Sequence, residues 1–193
     1  MLSFDKTVRY GAYPVAVVRR RGLVWAAGAV LFAVLTAAGA RLAVPLPGTA
    51  VPFTLQVLAV LLSGFLLGPF VGAASQIVYL AAGLAGVPVF YAGGGFAYLL
   101  GPTGGYLLAF PAAAAIAGAF AWRSPRLGSM LFGAVLAVAM IHLGGAAWLA
   151  LVVGGDAALR AGVLPFLPGD LLKVALAVLI GSRFHGRFRR TFG

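Results

Sequence analysis

A chain of 193 residues that is 63% hydrophobic and 9% charged, with a mean hydropathy of +1.08, is too apolar for a soluble globular domain; the solvent that suits it is lipid. Its net charge of +11 does not point to nucleic acid, because the basic residues stand at the chain ends and between apolar runs rather than along one face. The absence of Cys excludes disulfides and thiolate metal sites, and at ~20 apolar residues per crossing the length accommodates six short helices and no separate soluble domain.

Residues 1–21 are polar and basic and read as a cytoplasmic tail, with a short interfacial helix around Tyr10 to Val18. The apolar run Gly22 to Ala40 follows Arg19, Arg20 and Arg21 and ends on small residues, which imitates a secretory signal. It exceeds a signal's apolar core and further spans follow, so it is expected to be retained as helix 1, about Gly22 to Ala43. Ala29, Ala33 and Ala37 give that helix a small-xxx-small face that another helix can approach closely. Pro45, Pro47 and Gly48 forbid its continuation.

Helix 2 is predicted from about Pro52 to Leu67, Pro52 suiting a first helical turn, and Gln56 then lies one turn inside its outer end. A buried amide in a membrane must find a partner, either a neighbouring helix or a polar ligand. Gly68-Pro69 makes a tight reversal into helix 3, about Phe70 to Leu84, on which Gly72, Ser75, Gln76, Tyr79 and Gly83 share a face. Ser75 and Gln76 suit helix–helix adhesion, whereas Tyr79, nearer the outer side, is better placed for a ligand. The glycine-rich connection 86–104 has no Lys-Ser/Thr ending and no preceding strand, so it is not a nucleotide loop. Thr103 is a candidate N-cap for helix 4, and the glycines expose N–H groups that could hold an anionic group or simply make a compact loop.

Helix 4, about Gly105 to Trp122, ends in Trp122-Arg123-Ser124-Pro125-Arg126, the composition of a cytoplasmic interface. Helix 5 runs from about Leu127 to Val153, and His142 near its middle, with no second metal-binding residue at ligand spacing, reads as a packed, hydrogen-bonded histidine. A polar turn at Gly154 to Arg160 and a stretch from Gly162 to Gly169 lead to helix 6, Asp170 to about Phe184. With both termini on one side, that side carries five Lys and Arg in the N-terminal tail, two between helices 4 and 5 and four at the C-terminus, against Arg41 and Arg160 opposite. The positive-inside rule therefore predicts an all-α integral membrane protein: six transmembrane helices, N-in/C-in, a single bundle with long extracytoplasmic loops. The transmembrane domain is placed at 22–185 and a basic cytoplasmic tail at 186–193. No internal repeat is visible, which disfavours the inverted-repeat transporters.

Asp170 and Lys173 are the one pair of opposite charges inside or at the edge of a predicted span, and three residues apart they share a helix face. Intramembrane charge costs several kcal/mol, about, unless paired or facing a polar cavity, so a functional reading is the default. The alternative is that Asp170 caps helix 6 while Lys173 reaches outward to the interface.

The segments Val51-Pro52-Phe53-Thr54-Leu55-Gln56, Gly86-Val87-Pro88-Val89-Phe90, Gly101-Pro102-Thr103-Gly104-Gly105-Tyr106 and Pro165-Phe166-Leu167-Pro168-Gly169-Asp170-Leu171-Leu172-Lys173, in this order, resemble the BioY family. The resemblance covers helix 1 to helix 6. It implies a biotin-specific substrate-binding (S) component of an energy-coupling-factor (ECF) transporter in the cell membrane, with biotin as transported ligand, no cofactor, and no enzymatic activity. The implied partners are a transmembrane coupling subunit and two cytoplasmic ATPase subunits. The implied ligand residues are Asp170, Lys173, Gln56, Tyr79, Phe53, Tyr91, Gly93 and Gly94, and the coupling-subunit contact is the Ala29, Ala33 and Ala37 face. Biotin's ureido ring offers two N–H donors for Asp170 and a carbonyl for Lys173; the reverse orientation puts Lys173 on the valerate carboxylate. After Pro88-Val89-Phe90, where some members carry Asn, this chain has Tyr91-Ala92-Gly93. The rival readings are an S component or solitary carrier for another small vitamin, or an intramembrane enzyme, which would need more clustered carboxylates, His or metal than one intramembrane Asp provides.

Overall fold

A computed structural model describes residues 15–193, with side chains from Arg21 onward. Among the described residues the regular structure is helical apart from one short ribbon: α1 (Val15–Arg41), β1 (Ala43–Val44), β2 (Phe53–Thr54), α2 (Gln56–Leu84), α3 (Phe96–Leu99), α4 (Gly104–Arg123), α5 (Leu127–Val153), α6 (Gly155–Gly162), a 3₁₀ turn (Leu164–Phe166) and α7 (Leu167–Phe192). Among the described residues, five helices are long and apolar enough to cross a membrane: Arg21–Arg41, Gln56–Leu84, Gly104–Arg123, Leu127–Val153 and Gly155–Phe192. In hydrocarbon, backbone groups cannot turn to water, and helices satisfy them internally. Large side chains such as Phe70, Leu143, Leu151 and Leu171 face outward, as a lipid-facing surface requires.

Within α2 the helix reverses at Gly68, whose φ of 87° and ψ of 174° lie outside the helical region and are open to glycine but not to side-chain-bearing residues. Beyond it the chain runs back along itself. Gln56 donates to the Tyr79 hydroxyl at 2.6 Å although 23 residues separate them, and Gln76 Nε2 donates to Ser63 Oγ at 3.2 Å. Pro69 has no N–H, so the Phe65 carbonyl four residues earlier has lost its helical donor. Two side chains replace it: Trp122 Nε1 at 3.1 Å and His185 Nδ1 at 2.8 Å.

This folded-back α2 is central and packs on α1, α4 and α7. The α2–α4 contact is made by small residues: Ala113, Ala114, Ala117 and Ala121 are fully buried, and a Cβ at Gly64 would overlap the Ala114 carbonyl. Close backbone approach of this kind is how membrane helices gain dispersion energy without a hydrophobic driving force. Gln76 acts as adhesion between helices, since it also accepts from Thr36 Oγ1 of α1 at 3.2 Å, whereas Ser75 is bonded within its own limb, donating to the Gly72 carbonyl and accepting from Gln76 at 2.9 Å.

Several expectations are corrected. Helix 2 begins at Gln56 rather than Pro52, because Phe53 and Thr54 pair antiparallel with Val44 and Ala43. The 154–160 turn is the helix α6, with Ala158 and Gly162 buried one turn apart on one face. The last helix starts a turn before Asp170, with Pro168 in its first turn, and continues past Phe184 and through the expected tail to Phe192, where Phe188 and Phe192 pack on the α1–α2 cluster. The interfacial helix expected at Tyr10 to Val18 lies partly outside the described residues, and its end belongs to α1. The Ala29, Ala33 and Ala37 face lies against the chain's own bundle, Ala37 only half-buried: Ala29 packs with Phe32, Leu66, Leu67 and Val71, and Ala33 and Ala37 pack on the main core. Ala29 thereby admits Leu66, Leu67 and Val71 of α2, and the exposed flank of α1 carries Leu31, Val34 and Leu35.

The two ends of the bundle differ. At one end lie the Gly68 reversal, Trp122 and His185. At the other, the ribbon, the connection before α4 and the start of α7 surround a cavity.

Candidate functional site

The cavity is narrow, about 60 Å³ within its open mouth. Its walls are largely apolar: Val51, Val57, Leu107, Phe110, Val138, Ile141 and Phe166. Thr54, Gln56, Tyr91, Tyr98, Thr103, Tyr106, His142, Asp170 and Lys173 add the polar groups.

Asp170 and Lys173 form its charged centre. Lys173 Nζ donates to Asp170 Oδ1 at 2.9 Å, both side chains are almost completely buried, and Asp170 lies inside α7 with Phe166 as the N-cap. Neither the capping reading of Asp170 nor the outward reach of Lys173 describes this arrangement. Lys173 Nζ also lies 3.7 Å from the centroid of the Phe53 ring, a cation–π contact strengthened by desolvation. The ring fits there because residue 169 is glycine: a Cβ at Gly169 would overlap Phe53. The segments around Phe53 and Asp170, far apart in sequence, are therefore two halves of one contact.

The second oxygen of Asp170 is held from α5. His142 Nε2 lies 2.8 Å from Asp170 Oδ2. An ionised carboxylate can only accept, so Nε2 carries the proton and donates. The packed, hydrogen-bonded histidine expected from the sequence is present, and its partner is the central carboxylate.

Gln56 is held on both sides, its Oε1 accepting from Thr54 Oγ1 at 3.1 Å and its Nε2 donating to Tyr79. Tyr79 is 1% exposed and does not reach the cavity; it supports Gln56 from beneath, wedged between Phe90 and Phe110 with ring centroids 5.4 and 6.4 Å away. Phe53 likewise acts through Lys173 rather than as a wall. Gly93 and Gly94 are not in the cavity wall. Gly93 bridges to Phe90 and Gly94 lies against the Val87 carbonyl, so they shape the loop that lays Phe90 on Tyr79. Thr103 precedes α4 but its hydroxyl makes no cap bond. At the mouth, Tyr91 is partly exposed, and the Arg41 guanidinium donates to the Pro88 carbonyl, tying the end of α1 to the loop.

Of the expected ligand residues, Asp170, Lys173, Gln56 and Tyr91 line the cavity, whereas Tyr79, Phe53, Gly93 and Gly94 stand behind it. The sequence reading missed Thr54, Tyr98, Tyr106 and Phe166, and it did not place His142 in the site. His142 carried a signal of its own, a titratable side chain inside a long apolar helix, and Thr54, Tyr106 and Phe166 stand within the segments that carry the family resemblance. The arrangement can capture a small amphipathic molecule: a balanced ion pair, amide and hydroxyl groups at one end and aromatic and aliphatic walls around them.

Known proteins share this architecture. A crystal structure of the S-component for biotin from an ECF-type ABC transporter superposes with a TM-score of 0.81 at 28% identity, covering 90% of this chain and 98% of that one. The probable biotin transporter BioY of Pyrococcus horikoshii is 43% identical over 157 residues, 81% of this chain and 93% of its own length. The biotin transporter BioY of Thermotoga maritima is 36% identical over 155 residues, 79% of this chain and 90% of its own length. With the sequence model of the BioY family matching residues 15–190, the chain belongs to the BioY family.

Proposed function

We propose that this protein is the biotin-binding S component of an ECF-type vitamin importer, and that the cavity over Asp170 and Lys173 is where biotin binds. The observation that carries the reading is the buried Lys173–Asp170 pair at 2.9 Å on the floor of an apolar pocket, in a chain whose relatives are biotin transporters. The pair is neutral as a unit, so it suits the neutral ureido ring better than a second carboxylate, which would leave uncompensated charge in a poorly solvated site. The ring's two N–H groups can use the remaining lone pairs of Asp170 and its carbonyl can accept from Lys173. The thiophane ring and valerate chain then lie against aromatic and aliphatic walls, with the carboxylate toward the open mouth.

The bundle crosses the cell membrane six times, the two limbs of α2 counting as separate spans, with both termini cytoplasmic and the pocket on the outer side. Biotin captured outside is delivered inward by the whole bundle working against a coupling subunit and two ATPases. No bond in the ligand is made or broken.

Binding calorimetry on detergent-purified protein tests the reading. Wild-type protein should bind biotin, and Lys173→Ala should weaken binding at least about tenfold, the equivalent of losing one charged hydrogen bond of roughly 1.5 kcal/mol or more. Unchanged affinity in the variant would remove Lys173 from the site. Competition by other vitamins at equal strength would reassign the ligand.

A further inference from the structure

Between α5 and α7 the pocket is closed by a single polar link, His142 Nε2 to Asp170 Oδ2 at 2.8 Å. Val138, His142 and Asp170 line the pocket on one side and, on the other, an apolar groove between the two helices walled by Val135, Leu167 and Leu171. The link therefore stands in the wall between the ligand space and the lipid-facing surface. Lys173 holds one carboxylate oxygen and His142 the other, from different helices. With both held, the carboxylate cannot rotate about its Cβ–Cγ bond, a torsion that is otherwise soft. The other groups facing His142 offer Asp170 no substitute donor: Tyr106, ring centroid 6.4 Å away, gives its hydroxyl to the Gly162 carbonyl, and Phe166 has none. Among the described residues His142 Nδ1 meets no hydrogen-bond partner, so the bond from Nε2 is the one that anchors the ring there.

We propose that His142 is a positioning residue for ligand capture, fixing through its Nε2–H the plane in which the Asp170 carboxylate meets the ligand and closing the wall between α5 and α7. The ligand half of this inference rests on the biotin reading above.

Gln and Asn variants separate this role from simple packing, since the Gln amide nitrogen falls near the position of Nε2 and the shorter Asn amide does not reach it. Once all variants are shown to elute and unfold like wild type, His142→Ala and His142→Asn should weaken biotin binding about tenfold or more. His142→Gln should recover most of that loss. Equal affinities for the Gln and Asn variants, whether intact or impaired, would overturn the proposal. A second readout needs no ligand. The chain has two histidines, and ¹⁵N-histidine spectra at alkaline pH should show one Nε2–H tautomer, absent in His142→Gln, beside one Nδ1–H tautomer from His185. Two Nδ1–H tautomers in wild type would overturn the role of His142 whatever the ligand. An intact Nε2–H signal in a protein that binds no biotin would instead overturn the biotin reading alone.

Discussion

Gly169 shows how a single missing side chain organises the site. Its absent Cβ leaves room for the Phe53 ring, and the ring in turn lies under the Lys173 ammonium at 3.7 Å. Gly169→Ala should displace the ring and weaken biotin binding about twofold to thirtyfold, the range of a partly to fully desolvated cation–π contact of roughly 0.5 to 2 kcal/mol. In a Phe53→Ala background the same substitution should have little further effect, a double-mutant cycle read by calorimetry. Independent, additive losses would show that Gly169 acts by another route. Asp170 and Lys173 were legible from the sequence because charge inside an apolar run is costly and so conspicuous. His142 was visible as an oddity, but its partner lies 28 residues away, and helix pairing is not written in local periodicity. Tyr79 was chosen on the right grounds, a polar group on an inward face, yet its hydroxyl serves Gln56 and not the cavity.

Among the elements, the reversal in α2 was the most legible and its consequence the least. Gly68-Pro69 announces a break, but nothing local says what becomes of the Phe65 carbonyl that Pro69 leaves without a donor. The structure answers with Trp122 Nε1 and His185 Nδ1, from α4 and α7, so one lost helical hydrogen bond joins three helices. Trp122→Phe should lower the protein's stability by about 1 kcal/mol, the net worth of one hydrogen bond. Combining it with His185→Leu should cost more than the two single changes together, because only the double variant leaves the buried carbonyl wholly unpaired. Apparent melting temperatures in detergent read this, and strict additivity would deny the shared acceptor. Elements that escaped prediction share one physical trait. The ribbon of β1 and β2 and the helix α6 are short, and their stability comes from packing on neighbours rather than from a long apolar period. In the Ala29, Ala33 and Ala37 series, Ala29 packs on Leu66, Leu67 and Val71 of α2, and a small-residue stripe permits such close approach without by itself specifying a partner.

For the molecule as a whole, the membrane character followed from composition, and the proposed orientation rests on the distribution of Lys and Arg. The pocket occupies the end of the bundle reached by the ribbon and the long connections, while Arg183, Arg187, Arg189 and Arg190 follow α7 toward the other end. The proposed orientation sets the pocket outside, where vitamin must be captured, and it can be tested directly because the chain contains no Cys. Ala50, exposed beside the ribbon, and Gly186, exposed on the distal part of α7 with open space around its Cα, are each suited to a single introduced cysteine. In intact cells a membrane-impermeant maleimide should label Ala50→Cys and spare Gly186→Cys, and permeabilisation should expose the latter. Labelling of both from outside would contradict an even number of spans with cytoplasmic termini. Labelling of Gly186→Cys alone would invert the protein and turn the pocket toward the cytoplasm, where a neutral Asp170–Lys173 floor would face the wrong pool of ligand for uptake.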